Sequence, residues 1–156
     1  MSPCKIVVAI GLPGSGKSTH FMNLGANPIS SDAIRRQLSD DETDQTIHGK
    51  VFATMRYLLR QRLDLKRPVT YIDATNLTVK DRRPWLKIAQ ERGCEIEALY
   101  FDIPPEICKA RNAKRGRIVP ESAIDQMAAK LKPPTTAEGF DKIEVITVDR
   151  QGSTPA

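Results

Sequence analysis

The stretch Gly11-Leu12-Pro13-Gly14-Ser15-Gly16-Lys17-Ser18-Thr19 follows directly on the apolar run Ile6-Val7-Val8-Ala9-Ile10. It satisfies G-x-x-x-x-G-K-[ST], the Walker A pattern, and it stands between a β-branched run and a helical pattern, the context such a loop needs. Glycines allow successive backbone N–H groups to turn inward around phosphate oxygens. The helix that follows adds its positive N-terminal end. Lys17 is placed to reach the β- and γ-phosphates of a nucleotide, and the Ser18 hydroxyl to help hold Mg²⁺. Gly11, Pro13, Gly14, Ser15, Gly16, Lys17, Ser18 and Thr19 are thus the candidate phosphate grip.

The rest of the chain repeats the strand–helix alternation. Apolar, β-branched-rich runs at residues 5–10, 28–30, 69–73, 95–101 and 143–148 are bounded by turn residues. Helical periodicity is predicted over 17–24, from near Thr43 with a stripe of Ile47, Val51, Met55, Leu58, Leu59 and Leu63, and over 78–93, 104–113 and 120–131. Gly93 suits a helix C-terminus, whereas Pro84 predicts a kink or a late start. Alternating elements argue an α/β fold: a mostly parallel sheet of about five strands with helices on both faces. One domain is expected over residues 1–150, with 151–156 as a disordered tail.

Two acidic residues fall where a parallel sheet presents its carboxyl edge, the edge at which ligands bind. Asp73 ends the run Val69-Thr70-Tyr71-Ile72 and is either a metal-site companion of the P-loop or a turn residue; the neighbouring Thr75 and Asn76 are turn-formers or substrate contacts. Asp32 ends Ile29-Ser30-Ser31, with Arg35 one helical turn on. A phosphotransferase needs a carboxylate to take the acceptor's proton and a cation to grip an anionic acceptor. The alternative for Asp32 is a helix N-cap. Ser18, Asp32 and Asp73 form the candidate metal set. Lys109, Arg111, Lys114, Arg115 and Arg117 crowd residues 107–120, which contain no acid. Such a run is either a solvated helix face or a mobile lid whose arginines neutralise charge on a transferring phosphoryl group.

The blocks GLPGSGKST, SSDAIRRQL, DATNL and RNAKRGRIVP, in this order, resemble those of the 5′-hydroxyl polynucleotide kinases, above all the kinase module of bacterial polynucleotide kinase–phosphatases. The resemblance spans roughly residues 5–148. It implies a P-loop kinase fold with an arginine-bearing lid, ATP and Mg²⁺ as donor and metal, and a 5′-OH end of DNA or RNA as acceptor. It makes Asp32 the general base and Arg35 a contact to the adjacent phosphate. Arg111 and Arg115 become lid arginines on the nucleotide phosphates, and Asp73 fills the acidic position of its block. The catalytic set is then Lys17, Asp32, Arg35 and Arg115. Other readings are a kinase of a small hydroxyl metabolite and a nucleotide-dependent binding module.

Bulk properties are ordinary for a soluble globular protein. The 156 residues are 40% hydrophobic and 28% charged, and no apolar run approaches the roughly 18–20 residues of a membrane span. The net charge of +5 is compatible with a polyanionic partner. Three cysteines, Cys4, Cys94 and Cys108, share no metal-ligand spacing, so inert reduced thiols and a cytoplasmic protein without a membrane partner are expected.

Overall fold

The computed structural model describes residues 4–115 and 119–152. Five strands, β1 (Lys5–Ile10), β2 (Ile29–Ser30), β3 (Val69–Asp73), β4 (Glu95–Phe101) and β5 (Lys142–Ile146), form one parallel sheet in the order β2-β3-β1-β4-β5. β1 is central, and successive side chains point to opposite faces. Ile6, Val8 and Ile10 pack with Met55, Leu59, Trp85 and Ile88 on one side. Val7 and Ala9 pack with Phe21, Phe101 and Ile124 on the other. Both faces are therefore covered, which is why β1 reads as a continuous apolar run rather than an alternating one.

The helices are α1 (Lys17–Asn23), α2 (Ser31–Ser39), α3 (His48–Asp64), α4 (Val79–Arg92), α5 (Pro105–Lys114), α6 (Glu121–Lys130) and α7 (Val148–Gly152). Several differ from expectation for physical reasons. α3 starts at His48 rather than near Thr43, because Asp41 accepts from Thr43 and Asp44 accepts from Thr46, through both backbone N–H and hydroxyl. These side-chain turns compete with the helix. Leu58 falls off the apolar stripe and is exposed, whereas Val51, Met55, Leu59 and Leu63 are buried. α4 begins well before Pro84, so no late start occurs. Thr78 and Asp81 form a capping box there, and Gly93 closes the helix in the left-handed conformation. Gln151 and Gly152 belong to α7 rather than to a tail, while residues 153–156 lie outside the described residues.

The cysteine expectation is corrected. Cys4 and Cys94, 90 residues apart in sequence, are joined as a disulfide with Cα atoms 4.8 Å apart, and only Cys108 is free and buried. β1 and β4 start side by side, with Glu95 N–H donating to the Cys4 carbonyl, and this pairing brings the two thiols together. The bridge sits at the amino end of the strands, away from the P-loop. No helix among the described residues is long and apolar enough to cross a membrane.

Candidate active site

The P-loop leaves the carboxyl end of β1, between β3 and β4, at the sheet's switch point. Its shape requires glycine at two places. Gly14 (φ 83°) and Gly16 (φ 98°) are left-handed, and an added Cβ would come within 2.6 Å of the Cys108 carbonyl oxygen and of Gln151 Nε2, respectively. Gly11 N–H donates to the Thr75 carbonyl, which ties the loop to the segment after β3. Lys17 lies under the loop with Nζ donating to the carbonyls of Gly11 (2.9 Å) and Leu12 (2.8 Å). Ser15 Oγ is buried with no partner among the described residues. Two left-handed glycines, an orphaned hydroxyl and an inward lysine fit a bound phosphate.

Ser18 Oγ donates to Asp73 Oδ2 at 2.9 Å. Burial acts on Lys17 and Asp73 in opposite senses. It pulls the Lys17 ammonium down to about 8, with Asp73 opposing, and pushes the Asp73 carboxyl up, with Lys17 and Ser18 opposing. A hydroxyl beside a carboxylate is a hard-oxygen donor set suited to Mg²⁺. No cluster of three or more His, Cys, Asp or Glu side chains suited to a metal occurs among the described residues.

A cavity of about 550 Å³ joins this grip to the second acidic site. Pro13, Gly14, Gly16, Lys17, Ser18 and Thr19 line one part, and Asp32 and Arg35 another, with Asp73 in the same wall. The N-cap alternative for Asp32 fails: Ser30 caps α2, its hydroxyl accepting from Ala33 N–H at 3.2 Å. Asp32 stands in the first turn, its Oδ1 3.3 Å from Arg35 Nη1. Arg35 is 5% exposed, and its Nε has no hydrogen-bond partner among the described residues.

The basic cluster divides. Lys109 makes a 2.6 Å ion pair with Asp125 and serves the packing of α5 on α6. Arg111 and Arg115 line the cavity. Buried Asn112 fastens the base of this segment, donating to the Val119 carbonyl (2.7 Å) and accepting from Val119 N–H (3.1 Å). Arg117, also assigned to the lid, lies outside the described residues.

Further residues line the cavity. Gln45, His48 and Phe52 bring in the segment that leads into α3, and Met127 and Lys130 bring α6. Gln151 Nε2 donates to the Ser15 carbonyl at 2.7 Å, so α7 buttresses the loop from 136 residues away. Thr75 lines the cavity, but Asn76 (φ 48°) is a brace: its Nδ2 donates to the Ala9 carbonyl and its Oδ1 accepts from Trp85 Nε1. Fully buried Arg82 donates to the carbonyls of Asn76, Leu77 and Lys132 and pairs with both Glu138 oxygens, at 2.9 and 3.0 Å.

A family model described as an AAA domain (AAA_33) matches residues 6–134. The chain belongs to that family. It is 27% identical over 149 residues to the bifunctional polynucleotide phosphatase/kinase of Schizosaccharomyces pombe, covering 91% of this chain and 33% of that one. It is 26% identical over 161 residues to the L-seryl-tRNA(Sec) kinase of Methanococcus maripaludis, covering 92% and 58%. Among solved structures it resembles a chain of the Pnkp1/Rnl/Hen1 RNA repair complex, with TM-score 0.70, 24% identity, and 88% and 46% of the two chains covered. This AAA_33 member therefore spans a third to somewhat over half the length of those curated relatives. Its five-stranded parallel sheet with helices on both faces is the P-loop kinase fold. The chain is an AAA_33 domain with the P-loop kinase fold, and its likeness to the polynucleotide kinases extends from the sequence blocks to the relatives.

Proposed function

We propose that this domain transfers the γ-phosphate of ATP to a 5′-hydroxyl end of a polynucleotide. The observation that carries the reading is a single cavity with a phosphate grip in one part and a carboxylate beside a buried, under-bonded guanidinium in another. A nucleotide switch needs only the first. A kinase needs both, because the acceptor must be held in line and lose a proton.

Lys17 exchanges the carbonyls of Gly11 and Leu12 for the β- and γ-phosphates. Asp32 accepts the 5′-hydroxyl proton as the oxygen attacks the γ-phosphorus. Arg35, whose free Nε seeks an anion, holds the phosphate next to that hydroxyl and keeps the Asp32 carboxylate oriented. Arg111 and Arg115 offset the charge that spreads over the transferring group, a role worth on the order of 10³-fold or more in related chemistry. Mg²⁺ held at Ser18 and Asp73 would neutralise charge on the donor phosphates. The likeness to a bifunctional polynucleotide phosphatase/kinase supports the acceptor class. So does the +5 charge.

The test is labelled phosphate transfer from ATP to a 5′-OH oligonucleotide beside nucleosides, sugar acids and 5′-phosphorylated oligonucleotides. The proposal expects label only on the 5′-OH oligonucleotide, with a KM that rises steeply with salt while the KM for ATP responds much less. Preferential labelling of a small metabolite, or a salt-insensitive oligonucleotide KM, overturns the acceptor assignment.

A further inference from the structure

Aromatic side chains make up only 5% of the chain, and half of the Phe, Tyr and Trp rings go to the core: Phe21, Trp85, Phe101 and Phe140 are all at most 3% exposed. Phe52 and His48 are placed differently. They stand four residues apart on α3 and share a helix face. Their ring centroids are 4.5 Å apart with planes 34° from parallel, and both line the cavity that holds Asp32 and Arg35. Behind them Phe52 meets Trp85 at 6.4 Å, and Trp85 is fixed by its N–H bond to Asn76. The platform is thus rigid at its back and open at its front, where His48 is exposed.

The complement of this surface has a flat aromatic end and an anionic end. A π surface recruits a planar ring, and the buried Arg35 Nε beside Asp32 recruits a phosphate. A sugar acid or polyol offers no such ring. We propose that His48 and Phe52 form the platform on which the 5′-terminal base of the acceptor stacks, making them specificity residues; the assignment rests on the polynucleotide reading above. Every base has a π face, so the platform requires a base without choosing among bases.

The test compares two 5′-OH oligonucleotides that differ only at the terminal residue, one ordinary and one abasic. Wild type is expected to show a KM about tenfold or more lower for the base-bearing acceptor, with similar kcat. His48→Ala, at an exposed position, brings the two KM values together, and His48→Tyr restores their separation. Phe52→Leu, which keeps apolar bulk against Trp85, repeats the loss. The KM for ATP stays constant throughout. Equal wild-type KM values for the two acceptors, or a His48→Ala enzyme that keeps the wild-type ratio, overturns the platform alone. No transfer to either acceptor, with ATP still bound, overturns the polynucleotide reading and the platform with it.

Discussion

Lys17 sets the pH range over which the domain grips a nucleotide. Burial holds its ammonium at about 8, against an ordinary 10.5, although Asp73 and Asp32 draw it upward. Polyphosphate oxygens set against Nζ restore the charge, so nucleotide binding above that pH takes up a proton. The affinity then falls as the factor 1 + 10^(pH − 8) grows. From about pH 7.5 to about pH 9 this factor rises from ~1.3 to ~11, a loss of about eightfold or about 1 kcal/mol. The Cys108 thiol also faces Lys17, and burial pushes it up. Folding responds in the opposite sense. Between 8 and 10.5 the unfolded chain binds more protons at this lysine, so the stability of the nucleotide-free domain gains from it as pH rises. Calorimetric titration of ATP at stepped pH, in two buffers of different ionisation enthalpy, reads affinity and proton uptake together. The expected uptake at about pH 9 is ~0.9 proton. An affinity constant across the range with no proton uptake refutes the buried, half-titrated lysine.

Arg115 is exposed on the cavity rim, so Arg115→Ala is expected to lower kcat by on the order of 10²-fold with an unchanged melting temperature; a change under about threefold makes the cluster a solvated face. Arg82→Met strands the carboxylate of Glu138, itself 7% exposed, and should cost about 3–5 kcal/mol, read as a melting point lower by about 10 °C; a loss below about 1 kcal/mol refutes the brace. Reducing the Cys4–Cys94 bridge opens a closure of 90 residues and should lower the melting point by about 10 °C or more, equivalent to about 4.6 kcal/mol of chain entropy. A melting temperature that does not move with reductant removes the bridge from the account.

What was legible in the sequence was what local physics determines. β1, β3 and β4 match their apolar runs residue for residue, because both faces of a central parallel strand are buried and turn residues close each run. The P-loop, α4 with its capping residues, and Asp32 and Asp73 at the sheet edge followed for the same reason. What stayed hidden depends on contacts between distant segments. The Arg82–Glu138 pair spans 56 residues, Cys4–Cys94 spans 90 and Gln151–Ser15 spans 136. The aromatic wall of the cavity depends on how α3 packs against α2 and α4, which composition does not reveal. Two signals were nonetheless present. The repeated Asp-x-Thr of residues 41–43 and 44–46 foretells side-chain turns that delay α3, and the four-residue spacing of His48 and Phe52 puts two rings on one face.

The account turns on Asp32, since a P-loop alone serves hydrolases, switches and transferases alike. Asp32→Asn preserves size and its contact with Arg35, and Ser30 continues to cap α2. The measurement is the initial rate of phosphate transfer to a 5′-OH oligonucleotide, taken beside thermal melting with and without ATP–Mg²⁺. A general base predicts transfer reduced by roughly 10²–10⁴-fold, with the melting temperature and its shift on adding nucleotide near wild type. An Asp32→Asn enzyme that transfers phosphate at close to the parent rate contradicts the mechanism.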